Sequence, residues 1–141
     1  MASSEANEIF SAAREFAERM LKTYGEFIPF GVSVSPDGTV SMVAGDIGLE
    51  QPPSQEVINL LQSAFVDSFS NGNLLAAGVC LDVRIIPPGQ AEKSDAICVR
   101  IAHSNGEAME VYVPYSGSVA SGYIYGQVFA TAAGEFHYNG L

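Results

Sequence analysis

The sequence contains no tryptophan, only two cysteines and only six basic residues among 141. Two cysteines, Cys80 and Cys98, are too few for the disulfide framework of a small secreted protein or for a structural zinc site. Six Lys and Arg against sixteen Asp and Glu give a formal net charge of -10 at pH 7. Such a charge repels nucleic acids and anionic membranes, so we expect neither as a partner. A basic protein is the partner that this charge would attract.

Long apolar runs are also missing. The opening residues, MASSEANEIFSAAREF, have neither the basic region nor the apolar core of a signal peptide. No run approaches the roughly 20 apolar residues of a transmembrane helix. We therefore expect a cytoplasmic protein. Hydrophobic residues make up 48% of the chain and charged residues 16%, which is typical of an ordered protein, and the length predicts a single domain, residues 1–141.

Apolar periodicity predicts two helices. From Ser4 to Tyr24 the apolar residues recur every three or four positions, and Gly25 follows as the residue that ends the helix. A second apolar stripe predicts a helix from an N-cap at Ser54 to about Phe69.

The other segments alternate as strands do. Phe30, Val32 and Val34 alternate with small or polar residues, and a turn at Pro36-Asp37-Gly38 leads into a hairpin partner. Four segments rich in β-branched and aromatic residues follow, at 74–86, 94–104, 107–115 and 122–130. The predicted fold class is α+β, with element order αββαββββ and an antiparallel sheet on which both helices pack against one face.

The turn at Ser104-Asn105-Gly106 admits two strand registers. A two-residue loop would place charged side chains opposite apolar ones. A three-residue loop pairs Val99 with Val111 and Arg100 with Glu110, so apolar side chains meet apolar ones and opposite charges meet. The second register is therefore predicted.

The preceding hairpin, centred on Gly89, is predicted by the same test to pair Val79 with Val99 and Cys80 with Cys98. Together the two registers place one apolar face against the helices and leave a polar face open. We predict that this open face is a protein-binding surface, and that it includes Asp82, Arg84, Arg100, Glu110 and Tyr112.

Reactive side chains are sparse. A disulfide between directly opposed Cys80 and Cys98 would be strained, so two half-buried thiols are favoured over a redox pair. His103 and His137 lack the spacing of metal ligands, and we expect no metal and no cofactor. The alternative to a binding surface is a pocket between helices and sheet, with Glu26, His103 and Tyr115 as its polar groups.

Two short features repeat. The strings GEFIPFG at 25–31 and GEFHYNG at 134–140 share a Gly-Glu-Phe start. We interpret them as two independent turns, with Phe27 and Phe30 anchored in the core, although Glu26 and Glu135 could also meet as paired carboxylates. Five tyrosines form either a binding patch or part of the core: Tyr112, Tyr115, Tyr123, Tyr125 and Tyr138.

The strings GEFIPFG, VSVSPDGTVSMV, SDAICVRIAHSNGEAMEVYVPY and YIYGQVFA together resemble a set of small uncharacterised bacterial proteins, over most of the chain. The resemblance implies a bacterial origin and an α+β fold, and it supplies no catalytic residues. In size and composition the chain also resembles immunity proteins that neutralise toxins. Our hypothesis is a non-enzymatic cytoplasmic module that binds a basic protein or forms a homodimer through an exposed outer strand. The alternative is a small-molecule binder or enzyme.

Overall fold

The computed structural model describes residues 3–45, 48 and 53–132. Within them the chain forms two helices and seven strands: α1 (Ser4–Tyr24), β1 (Phe30–Val34), β2 (Val40–Ala44), α2 (Ser54–Ser70), β3 (Ala76–Ile85), β4 (Ser94–His103), β5 (Ala108–Ser118), β6 (Gly122–Tyr125) and β7 (Phe129–Ala132). The strands form one antiparallel sheet in the order β2-β1-β3-β4-β5-β6, and β7 also pairs with β5. The predicted α+β class and element order are confirmed.

The last predicted strand is divided into β6 and β7. Tyr115 of β5 pairs with Tyr125, whereas Tyr112 pairs with Phe129, so residues 126–128 lie opposite only two residues of β5. One of those two is Pro114, which has no N–H to donate to the ladder. Its carbonyl instead accepts a hydrogen bond from the Gly126 N–H at 2.8 Å. The extra residue forms a β-bulge, which interrupts the pairing of β5 between β6 and β7.

Helix α1 ends at Gly25, as predicted, and Ser3 caps its start. The Ser3 hydroxyl accepts a hydrogen bond from the Ala6 N–H, and Gly25 adopts the left-handed conformation (φ 77°) that ends the helix. Helix α2 begins one residue earlier than predicted, because Pro53 occupies the N-cap position and Ser54 is already helical.

The helices cover opposite faces of the sheet, so the prediction that both pack on one face is wrong. A Cβ atom at Gly78 would lie 2.5 Å from Ile9 of α1, and one at Gly31 would lie 2.6 Å from Phe65 of α2. Gly78 pairs with Val32, the neighbour of Gly31, and successive strand residues face opposite sides. Each glycine therefore lets one helix approach the sheet on its own side. We call the two faces the α1 side and the α2 side.

The prediction of one open sheet face failed because helices cover both faces of the central strands. All five residues of β1 and the first six of β3 are buried, and strands buried on both faces are apolar throughout rather than alternating. The alternation rule for a half-exposed sheet therefore does not apply to the central strands.

The predicted strand registers have mixed outcomes. The pairs Val99 with Val111 and Arg100 with Glu110 are confirmed. The predicted pairing of Val79 with Val99 and of Cys80 with Cys98 is wrong by one residue, since Cys80 pairs with Val99 and Val79 with Arg100. A shift of one residue moves every side chain of a strand to the other face.

The first Gly-Glu-Phe string forms the turn after α1. Phe30 is 6% exposed, and its ring centre lies 4.7 Å from that of Phe16 and 6.0 Å from that of Phe27. The predicted core anchors are confirmed. The second string, with Glu135, His137 and Tyr138, lies outside the described residues.

Candidate functional site

The five residues of the predicted binding surface lie on two faces of the sheet. Asp82 and Arg84 lie on the α1 side, whereas Arg100, Glu110 and Tyr112 lie on the α2 side. The one-residue shift between β3 and β4 causes this division, because it reverses the side on which every β3 residue lies. The predicted surface is thus two separate clusters.

The α1-side cluster is acidic. The Tyr115 hydroxyl donates a hydrogen bond to the Asp82 carboxylate at 2.8 Å. Partial burial raises the pKa of Asp82, and the nearby charges of Asp95 and Glu26 act in the same direction. Burial and the bond to Asp82 also raise the pKa of Tyr115. Arg84 forms an exposed ion pair with Asp95 at 3.2 Å.

His103 lies at the other end of α1. Its Nδ1 accepts a hydrogen bond from the Asn105 N–H at 3.0 Å. The ring N–H is therefore on Nε2, and it donates a hydrogen bond to the Glu5 carboxylate at 2.8 Å. In the same region the Ser3 hydroxyl donates a hydrogen bond to the Glu107 carboxylate at 2.8 Å. These bonds attach the start of the helix to the β4–β5 turn.

The predicted pocket residues are therefore not brought together. Glu26 and Tyr115 lie near Asp82, but His103 is at the opposite end of α1. Between these ends, four apolar side chains of α1 are fully buried against the sheet: Ile9, Ala13, Ala17 and Leu21.

The α2 side carries a largely buried polar cluster. The Arg100 Nε lies 3.4 Å from the Glu110 carboxylate, and its Nη1 donates to the Gln62 side chain of α2 at 3.3 Å. The Tyr112 hydroxyl donates to Glu110 at 2.7 Å. Burial, together with this bond, raises the pKa of Tyr112. The Arg100 and Glu110 side chains are only 17% and 13% exposed, so this ion pair is largely buried.

An aromatic pair continues this cluster toward the sheet edge. The rings of Tyr112 and Phe129 stack with centres 5.0 Å apart and planes 12° from parallel. Phe129 also lines a cleft of about 410 Å³ between the β3–β4 turn and the bulge after β6. The cleft residues are Pro87, Pro88, Gln90, Glu92, Lys93, Ser94, Pro114, Gly126, Gln127 and Phe129. We call Tyr112 together with these residues the aromatic cleft.

Sequence reasoning found Tyr112 but missed Phe129 and the cleft. Phe129 reaches Tyr112 only because the bulge shifts the register by one residue. The available signal was the combination of Pro114 inside a strand with Gly126 opposite it, which is typical of a bulge.

The predicted tyrosine patch is also divided between the faces. Tyr112 lies on the α2 side, whereas the rings of Tyr123 and Tyr125 lie 5.8 and 6.4 Å from that of Tyr115 on the α1 side. The Arg14 guanidinium lies 5.7 Å from the Tyr125 ring centre. These three tyrosines pack at the flank of α1 rather than forming one surface with Tyr112.

The two thiols are buried on opposite faces. Burial raises the pKa of Cys80, and burial followed by the charge of Glu110 raises the pKa of Cys98 to about 12. Since the thiolate is the reactive form, neither side chain has the setting of a redox or nucleophilic cysteine.

We expect both thiols of the native protein to react with Ellman's reagent at least about a hundredfold more slowly than in the urea-unfolded chain, because reaction requires local opening. Absorbance of the released thiolate at mildly alkaline pH measures both rates. Labelling of either native thiol at the unfolded rate would contradict this burial.

Residues 3–45, 48 and 53–132 contain no group of three or more His, Cys, Asp or Glu side chains placed to hold a metal ion. Neither of the two described helices is long and apolar enough to cross a membrane.

No protein-family model, curated protein or solved structure matches this chain. The resemblances to small bacterial proteins and to immunity proteins therefore stay predictions.

Proposed function

We propose that the protein is a non-enzymatic, cytoplasmic protein-binding module and that the aromatic cleft is its binding surface. The observation that carries the proposal is the stacked Tyr112–Phe129 pair, half-buried at the border of the cleft and next to Arg100. Aromatic and arginine side chains dominate the centres of protein interfaces, where a few anchors supply most of the affinity.

The surroundings of the pair favour a pre-formed surface. Glu110 fixes the Tyr112 hydroxyl, and Arg100 links Glu110 to helix α2. An aromatic side chain held in this way loses little conformational entropy when a partner covers it. The binding energy of the apolar contact is then largely retained.

The net charge indicates the class of partner. Within the cleft, Glu92 and Lys93 carry opposite charges. Beside the cleft, Glu110 is paired with Arg100. The excess of acidic residues in the chain as a whole, with a formal charge of -10, speeds the approach of a basic protein. Neutralisation of a basic partner, as immunity proteins achieve, belongs to this proposal.

A second candidate function is small-molecule binding. The cleft volume of about 410 Å³ lies within the range of about 300–1,000 Å³ found for ligand pockets. The lining supplies polar groups, Gln90, Ser94 and Gln127, among three prolines and Phe129. A ligand of this kind would be a compact molecule with both apolar and hydrogen-bonding parts.

The proposal predicts that Phe129→Ala weakens binding of a specific protein partner at least about tenfold, because it removes one ring of the anchor pair. Proteins retained by the immobilised wild type and by the variant are compared by quantitative mass spectrometry, and purified candidates are then titrated. Tyr24→Ala is the matched control, since Tyr24 is an aromatic residue that is 68% exposed and lies at the end of α1.

Retention of the same partner with equal affinity by wild type, Phe129→Ala and Tyr24→Ala would contradict the assignment of the surface. Circular dichroism melting curves of the three proteins show that each is folded. A small compound whose binding is lost in Phe129→Ala, with no protein partner affected, would favour the second candidate.

A further inference from the structure

Within the part of the chain that the structure describes, β2 is the outer strand at the edge of the sheet opposite β6. Its sequence, VSMVA, has no charged side chain. Val40 is 38% exposed and Met42 is 47% exposed, both on the α1 side. Lysine, proline and bulges, which prevent unwanted pairing at other edge strands, are absent from β2. The strand pairs with β1 over its full length without a bulge.

The hairpin geometry shows which backbone groups face outward. The Ser35 N–H donates to the Thr39 carbonyl at 2.9 Å. In an antiparallel ladder every second residue points its N–H and C=O to the same neighbour. Counting from Thr39, the groups of Val40, Met42 and Ala44 point away from β1.

We propose that β2 pairs antiparallel with β2 of a second copy of this chain, about a two-fold axis at Met42. This register places Met42 opposite Met42 of the second copy and Val40 opposite Ala44 of the second copy. The two-fold axis repeats the Val40–Ala44 pair, so three pairs of residues are opposed. In each pair the outward N–H and C=O groups exchange two hydrogen bonds, which gives about six in total. The axis is perpendicular to the sheet, so the α1 sides of both copies form one face and apolar side chains meet apolar ones.

The uncharged sequence of β2 favours a second copy over a basic partner at this edge. A strand without charged side chains offers no attraction to a basic protein. Two copies with a formal charge of -10 each repel one another. Because β2 has no charged side chain, pairing along this strand places no like charges directly opposite each other. The aromatic cleft lies toward the other edge of the sheet, so this inference does not depend on the proposed function.

The expected dimer is weak and has a diagnostic salt dependence. A pair of five-residue strands forms a small interface, for which we expect a dissociation constant on the order of 100 µM. Added salt screens the repulsion between the copies. Salt should therefore strengthen the dimer, whereas it weakens an association driven by opposite charges.

Sedimentation equilibrium from about 10 µM to about 1 mM protein tests the pairing, in NaCl of about 50 mM and about 500 mM. We expect Met42→Lys and Met42→Glu each to be monomeric, because like charges meet at the axis, and an equimolar mixture of the two to form heterodimers. Ile124→Lys, on β6 at the other edge, should dimerise as the wild type does. Circular dichroism shows that each variant is folded.

A covalent test uses Met42→Cys. Directly opposed hydrogen-bonded residues have Cβ atoms about 5.5 Å apart, which is too wide for a relaxed disulfide but within the reach of a short bismaleimide linker. The bismaleimide should link two copies of Met42→Cys but not of Ile124→Cys, and the buried native thiols should not compete. A wild type that is monomeric at about 1 mM, or a dimer that both charged Met42 variants leave intact, would overturn the proposal. So would a β2 edge that binds only a strand from another protein.

Discussion

Replacing Arg100 with alanine is expected to lower the free energy of unfolding by about 2–4 kcal/mol. The variant leaves the Glu110 carboxylate, only 13% exposed, without its cation. Gln62 loses its hydrogen-bond donor in the same change. Removing one partner of a buried ion pair is costly because the other charge remains in a poorly hydrated site. Urea denaturation followed by circular dichroism measures the difference.

The matched control is Arg84→Ala. Arg84 forms an ion pair with Asp95 at 3.2 Å, but their side chains are 62% and 49% exposed. Exposed ion pairs contribute roughly 0–1 kcal/mol, so we expect a loss of about 0.5 kcal/mol or less. Equal losses in the two variants would contradict the burial of the Arg100 cluster. Substitution of Arg100 is therefore expected to lower the stability of the fold as well as to alter the proposed binding surface. Phe129 is the better residue for testing binding.

The second large effect is expected from Gly78→Ala, which should lower the free energy of unfolding by about 1–3 kcal/mol. The added methyl group would lie 2.5 Å from the Cγ2 atom of Ile9 and 3.4 Å from the Arg100 carbonyl oxygen. Helix α1 or strand β3 must move to relieve the first contact. Chemical denaturation of Gly78→Ala and the wild type measures the loss.

A second substitution identifies the cause. Leucine has no Cγ2 branch on its Cβ atom, so Gly78→Ala should cost less in the Ile9→Leu background than in the wild type. Gly126→Ala is the control, because its Cβ would lie no closer than 3.4 Å to Pro114 and its φ is not in the left-handed region. A neutral Gly78→Ala, or a loss unchanged by Ile9→Leu, would mean that α1 does not approach β3 at this point.

The success of the sequence-based registers depended on how distinctive the two strand faces were. At the β4–β5 hairpin, Arg100 and Glu110 can only be matched to each other, and the prediction was correct. At the β3–β4 hairpin the segment AAGVCL is small or apolar at every position. Because a helix covers each face, either register buries apolar groups, and the apolar pattern of this segment cannot decide between them.

The site was predictable in part for a related reason. Arg100, Glu110 and Tyr112 lie in the correctly predicted hairpin, so their shared face was found. Phe129 was missed because its position depends on a bulge of one residue. Asp82 was assigned to the wrong face because it lies on β3, whose register was wrong.

The central claim, that the aromatic cleft binds a protein, is tested most directly by site-specific photo-crosslinking. A photoreactive amino acid is placed at Gln127, an exposed residue of the cleft, and in a separate variant at Lys22, an exposed residue of α1. After irradiation in cells that make the protein, we predict a covalent adduct of one defined mass from Gln127 and none from Lys22. Adducts from Lys22 alone, or none from Gln127, would contradict the claim.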